Sequence, residues 1–507
     1  MATLGKNRSM QVSAHAEVAR RSPEDHAVAR ALACLSAGIP LLLAFNLPPS
    51  ATYFNQVLSL LGWGVCMLYL STRSVSSVVP REFATVGTPL ALLCGAALLA
   101  PVVTAQPWAL ALSNAGVIAS AVIASALGAC TWRNKAFAPL FDALCVALLL
   151  AGLASSVIGL IQVYAPTWTD GNWIAHTTVE GRAVGNLRQS NHLSSLLLWS
   201  IVAALWLGES RVLRRAWAIA LAGLMLFVVV LSGSRTGLLG ALMLALWGLL
   251  NSRLAKPLRA ALLVGPVVYG LLWFASSGGI NRFSRATDIT SSRFSIWSNT
   301  LELIRVHPWF GVGFGEFNFA WTLTEFPNRP LEFFDHTHNL PLHFAVELGL
   351  PLAAAVLALL GWALWRAARN CLRPVAQHEP ASAQRTAFVM VLLMLVHSLL
   401  EYPLWYAYFL LPTAYLLGFC LARPQSRDSV DALAPAGINR AGVSARVSAL
   451  ALRVGSVVLV LGTAQEAGVP QMGCDSPFCK KAWATGLHEP VSSIALVDPD
   501  TGSRWIF

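Results

Sequence analysis

The stretch "FDHTHNLPLHF", residues 334–344, places Asp335, His336, His338 and His343 directly before a long apolar run. A neutral imidazole, with an unperturbed pKa of about 6.5, suits removal of a proton from a hydroxyl at neutral pH. The histidines of this stretch are therefore candidate general bases, with Asp335, His336, His338 and Asn339 gathered in one polar motif. Metal ligation is the competing chemistry. Outside a compact motif such as HExxH the spacing argues little for it, and His343 falls inside the apolar run. A plain polar loop is the other alternative. No metal and no cofactor is assigned.

Positive groups recur at the starts of other apolar runs. Arg188 stands with Asn191 and His192 in "GRAVGNLRQSNH" (181–192), and Arg235 follows Ser232 and Ser234 in "LSGSRTG" (231–237). Arg293 opens "RFSIWSNTLELIR" (293–305). A helix start offers unpaired N–H groups and a partial positive charge, and arginine forks add donors matched to phosphate oxygens. Gathered in one place, these parts make a cradle for phosphate or pyrophosphate; their convergence is an expectation. The plainer alternatives are that Arg188 and Arg235 snorkel or cap nearby carbonyls, and that Arg293 meets a lipid headgroup. In "HSLLEYP", His397 and Glu401 stand one turn apart, an ionisable pair that faces a polar cavity, a partner arginine or simply each other. "GVGFGEF" (311–317) has the wrong glycine spacing for a dinucleotide loop and no strand–helix unit around it, so it reads as a tight turn.

The elements that must position these groups are helices in a bilayer. Of 507 residues, 56% are hydrophobic and 12% charged, an excess of apolar residues over what one globular core needs. The fold class is all-α, a polytopic integral membrane protein with about 12 transmembrane helices. Spans are predicted near 31–47, 55–71, 86–104, 108–130, 138–164, 192–208, 216–232, 235–250, 259–277, 342–365, 386–402 and 404–421, with a further candidate at 448–464. Residues 1–30 are polar and read as an inner amino-terminal segment without a cleavable signal. Residues 31–421 form the membrane domain, and 422–507 a carboxyl-terminal segment with a polar tail.

Alternating from an inner amino terminus, the inner connections carry Arg73 and Arg81, Arg133 and Lys135, Arg211, Arg214 and Arg215, Arg253, Lys256 and Arg259, and Arg366, Arg369 and Arg373. Outer connections at 48–54 and 105–107 carry no charge, which is the positive-inside pattern. The net charge of +11 is thereby explained by membrane orientation, and no nucleic acid partner is called for. All three motifs then fall outside. The main outer loop, 278–341, contains an amphipathic helix with Phe294, Trp297, Leu301 and Ile304 on one face, expected to lie on the membrane surface. Seven of the nine cysteines sit in or beside apolar spans and read as packing; Cys474 and Cys479 in the tail are the pair for which a disulfide is plausible.

Taken in order, "GNLRQSNHLSSLLLW", "SGSRTGLLGAL", "SSRFSIW", "HPWFGVGFGEF", "DHTHNLPLHFAVELGLPLA" and "HSLLEYPLWYAYFLLP" resemble the bacterial O-antigen ligase superfamily, which also holds O-antigen polymerases and protein O-oligosaccharyltransferases. The resemblance implies a glycosyltransferase of the inner membrane, working at the periplasmic face without metal or nucleotide. Its donor would be a glycan on undecaprenyl pyrophosphate, and its acceptor a hydroxyl of lipid A–core or of a secreted protein. The family's essential histidine falls on His338, which would take the acceptor proton with Asn339 or Asp335 to orient it and His336, Asn191 and Glu401 in support, and its functional arginines fall on Arg235 and Arg293, with Arg188 as a further position. The last motif is most like the protein-modifying branch, whose members commonly continue into a periplasmic domain. The short tail here tips the expectation toward ligation onto lipid A–core, with protein glycosylation as the alternative and polymerisation third. A transporter of anions or lipid-linked sugars is the reading from another class, disfavoured because the charged motifs cluster at one face.

Overall fold

The computed structural model describes residues 23–46, 50–73, 83–104, 106, 108–133, 139–177, 179–276, 281–326, 334–373, 381–423, 495–497 and 504–506. Most of the amino-terminal segment, the candidate span 448–464, and Cys474 and Cys479 lie outside them. The helices are α1 (Pro23–Ala33), extended by a π turn and a 3-10 turn to Leu41, then α2 (Tyr53–Arg73), α3 (Ala84–Thr104), α4 (Trp108–Arg133) and α5 (Pro139–Tyr164). After a long ordered loop come α6 (Ser190–Glu209), α7 (Arg215–Ser232), α8 (Arg235–Leu250) and α9 (Lys256–Ser276). The chain continues with α10 (Asn281–Val306), α11 (Phe317–Leu323), α12 (Leu340–Leu348), α13 (Leu350–Leu372), α14 (Ala381–Ser398) and α15 (Ala407–Leu421).

Among the described residues seven helices, α3 to α7 with α9 and α13, are long and apolar enough to cross a membrane, and the protein is a multi-pass membrane protein. Shorter apolar helices cover His26–Leu41, Arg235–Leu250, Ala383–Ser398 and Ala407–Leu421. The strands β1 (Ala495–Val497) and β2 (Arg504–Ile506) pair antiparallel, with Ala495 opposite Ile506, beside an otherwise helical chain among the described residues.

In lipid the tails compete for apolar surface, so helices associate by close packing rather than by the hydrophobic effect. α6 is the centre of that packing. Leu196, Leu197, Trp199 and Val202 are fully buried, the Trp199 indole donates to Met390 O of α14 at 2.8 Å, and Ser200 Oγ donates to Leu148 O of α5 at 2.7 Å. α4 and α15 touch backbone to backbone: a Cβ on Gly128 would collide with Tyr415 O, and one on Gly418 with Ser125 O.

Two expectations change. The predicted span 342–365 is broken at Gly349, whose φ of 74° lies in the left-handed region that side chains avoid. The break leaves the last carbonyls of α12 without helical partners, and the glycine-rich turn at 311–316 supplies them: Val312 N–H donates to Val346 O at 2.8 Å and Gly313 N–H to Glu347 O at 3.1 Å. The amphipathic helix forms as part of α10, but its protein-facing side is Ile296, Thr300, Leu303 and Ile304, packed on Phe317, Trp321 and Val346. Phe294 and Leu301 are 65% and 49% exposed. The predicted face is therefore split: Trp297 and Ile304 turn toward the protein, while Phe294 and Leu301 face away from it.

Candidate active site

The site begins where the chain enters α12. Asn339 is the N-cap: its Oδ1 accepts from Leu342 N–H at 3.0 Å, and its Nδ2 donates to Leu399 O at 3.1 Å, just past α14. Thr337 Oγ1 donates to Asn339 O at 2.9 Å, and Thr337 O accepts from the Trp297 indole of α10 at 3.0 Å. Held from both sides, the intervening His338 adopts φ 54°, a conformation that is uncommon for a non-glycine residue and costs energy. The imidazole is thereby aimed at the turn after α14, where Nδ1 lies 2.6 Å from Glu401 Oε2.

Glu401 is the hub. Its Oε1 accepts from Arg293 Nη2 of α10 at 2.5 Å and from Asn191 Nδ2 of α6 at 2.9 Å. Asn191 Oδ1 in turn accepts from Ser234 Oγ at 2.6 Å, and Ser234 Oγ caps α8 by accepting from Gly237 N–H at 3.0 Å. Ser194 Oγ bridges Asn191 O and Ser234 Oγ at 2.9 and 3.0 Å. The starts of α6, α8 and α12, recognised separately in the sequence, are joined through one carboxylate at one end of the bundle.

The Glu401 side chain is 5% exposed, against 17% for His338 and 19% for Arg293. The carboxylate lies beneath, and its imidazole and guanidinium partners form the rim. Burial by itself would raise the Glu401 carboxyl, but the His338 hydrogen bond and the nearby His338 and Arg293 hold it below the usual carboxylate range. An ionised Glu401 fixes the tautomer of His338 with hydrogen on Nδ1, which leaves Nε2 as the nitrogen for a substrate hydroxyl. The cleft beside it is lined by His336, Asn339, Tyr402, Leu404 and Trp405.

The carboxylate on His338 is Glu401, and the other predicted supports go elsewhere. Asp335 Oδ1 lies 2.9 Å from His336 Nδ1, and Asn339 serves as the cap. The His336 ring stacks on Tyr402 at 4.2 Å, while His343 Nε2 pairs with Glu347 Oε1 at 3.2 Å, one turn along α12. His397, read as a partner for Glu401, is instead hydrogen-bonded through Nδ1 to Ser195 Oγ at 2.7 Å. Arg235 is the first residue of α8, exposed beside the Ser234 cap. Arg188 is not brought onto Glu401; its guanidinium donates to Ala44 O at 2.8 Å and Ala51 O at 3.3 Å.

Two contributors were missed. Arg182, in the same motif as Arg188, donates through Nε to Ser232 O at 2.6 Å and through Nη2 to Gly233 O at 3.0 Å, tying the loop before α6 to the turn that presents Arg235. The signal was the carbonyl-rich end of α7, which needs donors. Tyr402 follows Glu401 directly in the chain, and its ring lies edge-on to His338 at 5.0 Å.

A family profile described as O-antigen ligase matches residues 220–357, which include Arg235, Arg293 and His338. One described as protein glycosylation ligase matches 183–207, and one described as virulence factor membrane-bound polymerase, C-terminal, matches 385–469. A general O-oligosaccharyltransferase of Acinetobacter baylyi is 28% identical over 276 residues, 51% of this chain and 47% of the relative. A ComP-specific O-oligosaccharyltransferase of the same organism is 27% identical over 259 residues, 48% of this chain and 44% of the relative. The chain spans about half the length of the curated relatives it matches. Together these matches support the superfamily of bacterial O-antigen ligases, O-antigen polymerases and O-oligosaccharyltransferases.

Proposed function

We propose that the protein is a glycosyltransferase that moves a glycan from undecaprenyl pyrophosphate to a hydroxyl acceptor, at the periplasmic face of the bacterial inner membrane. The observation that carries the reading is the single carboxylate, Glu401, that holds a histidine and an arginine at the rim and connects them through Asn191 and Ser234 to the start of α8. A base and an anion cradle side by side are what transfer from a pyrophosphate donor needs.

His338 Nε2 takes the proton of the acceptor hydroxyl as its oxygen bonds to the anomeric carbon of the donor sugar. The bond from that carbon to the pyrophosphate oxygen breaks, its electron pair leaves with the pyrophosphate, and the configuration inverts. Arg235, Arg293 and the N–H groups at the start of α8 match the charge that grows on the leaving group. One Arg293 nitrogen is given to Glu401, and the rest of its fork stays available for phosphate oxygens. Arg188 stands as an outlying contact, its role divided with the carbonyls it caps.

The relatives named as O-oligosaccharyltransferases support a protein hydroxyl as the acceptor. The O-antigen ligase profile over the arginine and histidine motifs supports lipid A–core as the second reading. Purified protein, offered a lipid-linked glycan with either lipid A–core or a candidate acceptor protein, separates the two by which one becomes glycosylated. Product on neither acceptor, with the protein folded in detergent, would refute both.

A further inference from the structure

Asn191 is the one side chain of the network whose two ends face different machinery. Its Nδ2 donates to Glu401 Oε1 at 2.9 Å, and its Oδ1 accepts from Ser234 Oγ at 2.6 Å. The amide cannot be reversed without setting its oxygen against the carboxylate. Glu401 is faced by Arg293 from α10, Asn191 and His192 from α6, His338 from the α12 entry, and Tyr402 beside it in its own turn. His397 of α14 bonds Ser195 instead. Arg293 and His338 are charged or chargeable, and each reaches Glu401 from the rim. Asn191 is neutral, comes from the central helix, and continues to the cap of the helix that begins with Arg235.

We propose that Asn191 is a positioning residue that couples the pyrophosphate cradle to the base: it holds Glu401 in the orientation that serves His338 and fixes that orientation to the α8 start. The proposal deepens the transferase reading and rests on it. Without the Asn191 donor, Glu401 Oε1 is held by Arg293 alone, and the carboxylate can follow the guanidinium when that group engages pyrophosphate. His338 then loses its partner at the moment the base is needed. A cap residue with only a local structural role has no such consequence.

The test uses the full-length protein in detergent, an undecaprenyl-pyrophosphate glycan and the accepted hydroxyl substrate. Asn191→Asp keeps the side-chain size and the acceptor for Ser234, and replaces the donor to Glu401 with a carboxylate oxygen that repels it. It is expected to lower kcat by about tenfold or more, the scale of one charge-assisted hydrogen bond lost, with both KM values within about twofold. Asn191→Ala should do the same, and Ser234→Ala, expected to lower kcat in the wild-type background, should lower it by a smaller factor in Asn191→Ala. Wild-type kcat in Asn191→Asp, or independent multiplication of the Ser234→Ala and Asn191→Ala losses, overturns the proposal. Should Asn191→Ala fail to run as a monodisperse species, the neutral and similarly branched Asn191→Leu takes its place in both comparisons. A wild-type protein that makes no product refutes the transferase reading, a different outcome from either.

Discussion

Glu401→Gln is the most informative perturbation because it changes charge with almost no change of shape. The variant keeps an oxygen or an amide near each partner but removes the anion that His338, Arg293 and Asn191 all address. Breaking a buried ion pair costs about 3–5 kcal/mol when one charge is left uncompensated. Arg293 and His338 retain 19% and 17% exposure, so solvent recovers part of this and about 2–3 kcal/mol remains. If that loss falls on the transition state, the rate drops about 30- to 150-fold. The assay is steady-state transfer from lipid-linked glycan in detergent, paired with a thermal melt. The sign of the pH effect follows from the lowered Glu401 carboxyl. A depressed folded value contributes stability that is present above the ordinary carboxylate range, about pH 4.3, and is lost as pH falls through the folded value. Glu401→Gln should therefore lower the melting temperature at neutral pH and remove that part of the acid destabilisation. Transfer within threefold of wild type, or an unchanged acid limb of stability, would refute the hub role.

Further outcomes are expected from the same preparation. Arg235→Ala should raise the donor KM and lower kcat together, and Arg293→Ala should do so more severely because it also frees Glu401; initial-rate kinetics against donor concentration check both. Arg182→Ala should lower transfer by about an order of magnitude by releasing Ser232 O and Gly233 O, and Arg182→Lys should restore little, since one ammonium cannot serve two carbonyls as a fork does. Gly418→Leu should prevent recovery of folded protein, because a side chain there enters the Ser125 carbonyl; fluorescence-detected size exclusion reads the result.

Much of this was legible in the sequence, for identifiable reasons. The spans are long apolar runs with few interruptions, so among the described residues helical turns cover most of each stretch predicted between 31 and 421, and the motifs at 188–192, 232–235 and 336–339 lie where helices begin. Helix starts need caps, and Ser234 and Asn339 supply them. The choice of partners was hidden. Four residues separate His397 from Glu401, which on one continuous helix would set them face to face. α14 ends at Ser398, so Glu401 swings into a turn and meets His338 instead. Nothing local distinguishes Asp335 from Glu401 as the carboxylate for His338; the backbone at φ 54° decides it, and that conformation is imposed by contacts from α10 and the end of α14. The division of labour between Arg182 and Arg188 was equally invisible, because both serve carbonyls distant in sequence.

The measurement closest to the central claim is glycan transfer by His338→Ala, compared with wild type at saturating donor and acceptor and accompanied by a donor-binding isotherm. General-base catalysis contributes about 10²–10⁴-fold, so the variant should bind lipid-linked glycan normally yet transfer it at least about a hundredfold more slowly. Undiminished turnover by folded His338→Ala would contradict the assignment of the base and with it the role given to Glu401.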